Sequence, residues 1–159
     1  ASKIMVGEKL SNFNLTEPKT SHIAVKEAVF PFARFPGTDV ILGPEMKSTG
    51  EVMGIGSTFG EAFAKSQLGA NVNLPKKGEV FISVKVDDKQ KIISNDIQLV
   101  INTSEGVTSI KDSFSLRQTA LLNKIPYYTT LQGANAASLA IKSIIDKSIN
   151  VKSIQSYFE

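Results

Sequence analysis

The residues best suited to chemistry stand in two short polar clusters. Asn102-Thr103-Ser104 closes the apolar run DIQLVIN, and Ser113 opens a helical pattern shortly after it. An amide, hydroxyls and backbone N–H groups at the carboxyl end of a strand and at a helix N-terminus suit one task, holding an anion. The same residues also suit an ordinary polar βα loop with Ser113 as a helix cap. Both readings stand at this point. Asp112 and Arg117 flank the first helical turn. Asp112 can cap it, Arg117 can touch a phosphate or pair with a carboxylate, and structural roles are favoured for both.

No other cluster makes a catalytic site. His22 is the single histidine and has no acid or nucleophile motif beside it, so neither catalysis nor a histidine metal site is expected. Cysteine is absent, which excludes a disulfide framework, a thiolate metal site and a Cys nucleophile. The run GPEMKSTGEVMG gathers Glu45, Lys47, Ser48, Thr49 and Glu51, yet it holds no phosphate-binding G-x-x-x-x-G-K-[ST] loop and no metal-binding carboxylate pair. It reads as structural. No catalytic residue and no metal ligand is assigned.

The elements that must position the polar clusters follow from periodicity. Glu79 to Val86 alternates as a strand, Asp96 to Asn102 is a second, Ser113 to Asn123 a helix stopped by Pro126, and Tyr127-Tyr128-Thr129 a short strand. A long helix runs from Thr130 or Leu131 to Lys147, expected to be largely buried. Val151–Tyr157 is expected as an edge strand. Strands alternating with helices predict an α/β fold, a Rossmann-like and mostly parallel small sheet flanked by helices. One junction conflicts with this. Few residues separate the first two strands, and a parallel crossover needs about a dozen. Either the two strands form a hairpin or a deletion has broken the sheet order.

Upstream, Thr58-x-x-Glu61 is a capping box ahead of a helix carrying Phe59, Ala62, Phe63 and Leu68 as an apolar stripe, a Glu61–Lys65 pair, and Gly69 as its left-handed stop. Before it, Gly43, Gly50, Gly54 and Gly56 argue against one regular element, since each interior glycine costs about 0.5–1 kcal/mol against alanine. Residues 1–34 read as a short helix with Ile4, Met5 and Leu10 on one side, then turns and short extended runs, with Phe13, Phe30, Phe32 and Phe35 in need of cover. Asn71 to Gly78 reads as a linker.

The chain has 159 residues, a hydrophobic content of 42% and a net charge of +3. Its basic residues are not gathered: nine basic and seven acidic residues fall in 1–78, nine and eight in 79–159. Without a basic stripe or a stacking aromatic motif, no nucleic-acid partner is expected. The apolar runs are too short for a bilayer, and ASKIMVGEKL is no signal peptide, so a cytoplasmic location without a membrane partner is expected.

The stretch FPGTDVILGPEMKSTGEVMGIGSTFGEAFAKSQLGA, with VKEAVFPFARFPG ahead of it, resembles the end of the second ATP-grasp half of the carbamoyl-phosphate synthase large subunit. Residues after it resemble that family's methylglyoxal-synthase-like regulatory domain. The resemblance implies residues 1–77 as the irregular and helical end of an ATP-grasp domain and 78–159 as a shortened regulatory domain. It implies a parent reaction making carbamoyl phosphate from glutamine nitrogen, bicarbonate and ATP, in pyrimidine or arginine synthesis. ATP, Mg²⁺ and K⁺ belong to that parent, and no cofactor is expected in this chain. The implied partners are the remainder of the large subunit and the glutamine amidotransferase small subunit. A phosphorylated effector such as UMP or IMP is implied at Asn102, Thr103, Ser104 and Ser113.

This sequence departs from the family between DDKQK and IISND, where βα units with a Thr-rich loop and two phosphate-binding lysines are missing. Ser57 also replaces a residue that is commonly basic. Methylglyoxal synthases use Asp residues for proton chemistry, and nothing here restores that activity. Two alternatives accompany the regulatory reading: a stand-alone module for an anionic metabolite, and a truncated remnant without function.

Overall fold

The computed structural model describes residues 1–16, 20–30, 50–82, 89–103, 113–147 and 149–157. Ser104, Asp112, Phe32, Phe35, the run from Glu45 to Thr49, and the end of the first expected strand after Ile82 lie outside these residues. The elements are α1 (Ser2–Met5), a 3₁₀ turn (Leu10–Phe13), β1 (Ile23–Val29), β2 (Gly50–Gly56), α2 (Phe59–Gly69), β3 (Glu79–Ile82), α3 (Lys89–Ile93), β4 (Ile97–Ile101), α4 (Phe114–Leu122), β5 (Tyr127–Tyr128), α5 (Leu131–Asp146) and a second 3₁₀ turn (Ile154–Tyr157).

β3, β4 and β5 form one parallel sheet in that order, with Phe81 beside Val100 and Val100 beside Tyr127. This resolves the junction. β3 and β4 are parallel, and α3 lies between them in the chain. The core lies on one face, where Phe81 and Tyr127 pack on Ile92, Ile97, Val100, Leu116, Ala120 and Ile125. Val80, Leu99, Ile82, Ile101 and Tyr128 share the other face, and Tyr128 reaches α2 there. Helices therefore flank the sheet on both sides.

The N-terminal part is more regular than the glycine count suggests. β2 is one strand across Gly50, Gly54 and Gly56, paired antiparallel with β1 so that Val25 faces Gly54 and Glu27 faces Val52. The glycines serve packing. A Cβ on Gly54 would run into the Ala62 carbonyl oxygen and the Ser66 amide nitrogen, so α2 lies directly on the strand backbone. On its other side α2 packs on α5, and a Cβ on Gly60 would stand 2.5 Å from the Leu139 carbonyl oxygen. The buried face of α2 is accordingly Gly60, Ala62, Ala64, Ser66 and Gln67, while Phe59 and Leu68 of the expected stripe are exposed.

The Thr58 cap forms as expected: its hydroxyl accepts from the Glu61 N–H at 3.2 Å. Glu61 reaches one residue further back than a capping box requires, accepting from the Ser57 N–H at 2.9 Å and the Ser57 hydroxyl at 3.0 Å. It also pairs with Lys65 at 2.8 Å. The Lys65 hydrogen bond, together with those from Ser57, outweighs burial and holds the Glu61 carboxyl at about 2 against an ordinary 4.5. A carboxylate lowered on folding contributes stability above its unfolded value and loses it as the pH falls. An acid titration of stability should therefore show a loss of about 1–2 kcal/mol between pH 4.5 and about 2, discounted for partial exposure. Glu61→Gln should flatten that window. An unchanged acid limb in the variant would refute the assignment.

The left-handed stop of α2 is Asn71, at φ 61°, and not Gly69. Val72 N–H donates to the Gln67 carbonyl at 2.8 Å and Asn71 N–H to that of Leu68 at 3.1 Å, a Schellman closure. Gly69 instead keeps α2 close to Val52, whose Cβ a glycine Cβ would meet at 3.2 Å. α3 and α4 close alike, with Asn95 and Lys124 left-handed at φ 61° and 56°. A lysine is strained there. Lys124→Gly should stabilise the chain by about 0.5–1 kcal/mol, the relief of strain offsetting glycine's greater freedom when unfolded. Thermal unfolding checks this, and a lowered midpoint would contradict it.

Two other expectations are corrected. α5 is capped by Thr130, which accepts from the Gly133 N–H at 3.0 Å, but only Ala137 and Ala140 are fully buried. Small residues make its contact with α2, and Leu131, Leu139 and Ile145 remain exposed. Ile154–Tyr157 is a 3₁₀ turn and not an edge strand. Its Tyr157 hydroxyl bonds Ile55 O and the Lys65 ammonium, both at 3.2 Å, which docks the segment by its side chain. Ile4, Met5 and Leu10 are exposed, so the N-terminal turn covers no core.

Candidate functional site

The structure brings Asn102 and Ser113 together. Asn102 follows the last residue of β4, and its N–H donates to the Tyr128 carbonyl at 2.9 Å, which ties the strand end to β5. Its side chain turns toward α4, and Nδ2 donates to the Ser113 hydroxyl at 3.2 Å. Asn102 is 6% exposed, so its amide is an internal strut more than a surface ligand. Thr103 follows it at the surface.

Ser113 takes the N-cap position of α4 without capping it. Its φ of −83° and ψ of −7° are already helical, whereas a capping residue normally adopts an extended backbone that turns its oxygen onto the first-turn N–H groups. The hydroxyl accepts from Asn102 instead. A hydroxyl both donates and accepts, a suitable chemistry for meeting an anion at the strand ends. Arg117, one turn on, is 1% exposed, and its N–H donates to the Ser113 carbonyl at 3.1 Å. Its guanidinium is a buried part of α4, in keeping with the structural role expected of it. Among the described residues no group of three His, Cys, Asp or Glu side chains could hold a metal ion.

A separate groove of about 460 Å³ lies where the start of α2 meets the end of α5. It shares no residue with the Asn102–Ser113 cluster; of its charged lining residues Glu61 pairs with Lys65 and Lys142 with Asp146, and Lys147 and Lys152 also line it. The polar cluster at the strand ends remains the better candidate on its chemistry.

One feature was not legible in the sequence. Glu27 of β1, Gln67 of α2 and Tyr128 of β5 form a continuous hydrogen-bonded chain. The Tyr128 hydroxyl donates to Gln67 Oε1 at 2.7 Å, and Gln67 Nε2 donates to Glu27 Oε2 at 2.6 Å. Ser66 adds its hydroxyl to the same carboxylate oxygen at 3.0 Å. Burial, and secondarily the Glu27 charge, push the Tyr128 hydroxyl well above the ordinary tyrosine range, so it stays a donor. The available signal was a polar pair, Ser66-Gln67, on a helix whose other inward residues are small.

Parallel strands joined through helices, with polar side chains at their carboxyl ends, define a Rossmann-like α/β protein. The MGS-like domain family matches residues 45–129, and the chain belongs to that family. It is similar to the carbamoyl phosphate synthase large chain of Rhizobium meliloti (strain 1021), with 41% identity over 213 aligned residues that cover 100% of this chain and 18% of the relative. The large chain of Myxococcus xanthus is 43% identical over 206 residues, covering 99% and 19%. That of Methanobrevibacter smithii is 41% identical over 206 residues, covering 100% and 20%. The chain is thus homologous to the C-terminal, MGS-like region of the large chain and spans about a fifth of the length of these curated relatives. The alignments are longer than the chain itself, so the relatives carry residues that it lacks. No helix of the described residues is long and apolar enough to cross a membrane.

Proposed function

We propose that this chain is the regulatory end of a carbamoyl phosphate synthase large chain, with its MGS-like domain holding a small phosphorylated effector. The observation that carries the reading is identity of about 40% along the whole chain to that large chain in several species. The Asn102–Ser113 pairing at the sheet's polar end supports an anion site there. Thr103 and Ser104 complete the proposed contacts, and UMP or IMP is the effector class. In this reading residues 1–77 end the ATP-grasp domain and 78–159 form the regulatory domain. The partners are the remainder of the large subunit and the amidotransferase small subunit, in the cytoplasm. ATP, Mg²⁺ and K⁺ act on the parent's synthesis of carbamoyl phosphate, and this chain contributes regulation.

Calorimetric titration of the chain with UMP and with IMP tests the site. Weak but saturable binding is expected, reduced about tenfold or more by Ser113→Ala, since hydrogen bonds to charged groups are worth about 1.5–3 kcal/mol. No heat at millimolar ligand, or full affinity in the variant, would overturn it.

A further inference from the structure

The hydrogen-bonded chain from Glu27 to Tyr128 has a direction. An ionised carboxylate only accepts, so Glu27 takes the Gln67 amide protons and the Gln67 carbonyl is left for the Tyr128 hydroxyl. The amide cannot reverse without setting its oxygen against the carboxylate. Gln67 is 5% exposed and Ser66 fully buried, with Glu27 and Tyr128 half-buried at the ends, so a broken link leaves the Gln67 amide short of a partner away from solvent. Bonds of 2.6 and 2.7 Å tolerate little lengthening, and a displacement of about 1 Å at either end puts the partners outside hydrogen-bond range. The bridge is therefore either made or broken, with little between.

Its two ends matter. Tyr128 carries on its own carbonyl the N–H of Asn102, at the polar end of β4. Glu27 sits in the middle of β1, on the face of the hairpin that α2 covers. The opposite face holds its own ion pair, Lys26 to Glu51 at 2.7 Å, and takes no part.

We infer that the Glu27–Gln67–Tyr128 bridge couples the polar end of the parallel sheet to the β1–β2 hairpin, so that displacement of β5 is felt at β1 through Gln67. Its use in regulation rests on the effector reading above. Its existence as a coupling element does not. Glu27, Gln67 and Tyr128 are positioning residues in this device, and none of them needs to touch the effector.

The test is a double-mutant cycle on the full 159-residue chain, read by urea unfolding. Glu27→Ala and Tyr128→Phe remove the two ends, which do not touch each other. The unfolding constant of the double variant should differ from the product of the single effects by about fivefold or more, and the difference should vanish in a Gln67→Met background. Glu27→Gln, which keeps an acceptor for the Gln67 amide, should preserve the bridge and lower stability much less than Glu27→Ala. Additive effects, or coupling that survives Gln67→Met, would overturn the inference. Amide NMR with saturating UMP separates the two claims. Shifts at Ala24–Val29 in the wild type, lost in Tyr128→Phe while those at Asn102 and Ser113 persist, support the bridge as the route. Hairpin shifts that persist in Tyr128→Phe overturn it. Absence of any shift at Asn102 and Ser113 overturns the effector reading, and the unfolding cycle still decides the bridge.

Discussion

Gly54→Ala is expected to destabilise the chain by about 3 kcal/mol, lowering the melting temperature by roughly 6–12 °C. The added methyl would be directed at the Ala62 carbonyl oxygen and the Ser66 amide nitrogen, both backbone atoms of α2. No side-chain rotation relieves such a contact, so the helix must lift off β2. Lifting it disturbs more than one interface, because α2 also packs on α5 and carries Ser66 and Gln67 to Glu27. Gly50, in the same strand, is the internal control: a Cβ there meets nothing within 4 Å. Gly50→Ala should be neutral or slightly stabilising, since alanine has less freedom to lose on folding. Equal effects at the two positions would mean that α2 does not lie on the strand as described.

This contrast shows what the sequence could and could not reveal. Glycines at 50, 54 and 56 look alike in a string of letters and argue against regular structure by propensity alone. Their meaning is tertiary: two of them make room for a helix that begins a few residues later. Local signals were legible where the interaction was local. The Thr58 cap, the Glu61–Lys65 pair and the helix after Ser113 all involve neighbours within one or two turns. Parallel pairing of β3 with β4 was not settled by sequence, because alternation marks a strand and not the direction of its neighbour. The candidate site was half legible. Asn102 and Ser113 do meet, but the role of Ser113 as acceptor rather than helix cap follows from its backbone angles, which the sequence does not display. The Glu27–Gln67–Tyr128 bridge spans three elements and has no local signature. The exposure of Leu131, Leu139 and Ile145 on α5 has a similar cause: hydrophobic letters mark a surface that wants cover, and not what covers it.

Arg117→Ala is expected to cost about 3–5 kcal/mol, the other large effect in this chain. Arg117 heads the fully buried side chains by volume, inside α4 and beside the Asn102–Ser113 cluster. A guanidinium keeps its charge in such a place only because the surrounding fold supplies partners, and truncation leaves both a cavity and those partners uncompensated. Arg117→Lys should recover little, since an ammonium cannot reproduce five donors held in a planar fork. In urea the midpoint should fall by at least about 1 M with an unchanged slope. The alternative role, a direct phosphate contact, makes the opposite forecast: a stable Arg117→Ala variant that has lost its affinity for UMP. Burial favours the structural role, because Arg117 is 1% exposed and α4 closes part of the core with Leu116 and Ala120. Stability should therefore fall before any change in binding can be read, and the residual folded fraction should bind UMP as the wild type does.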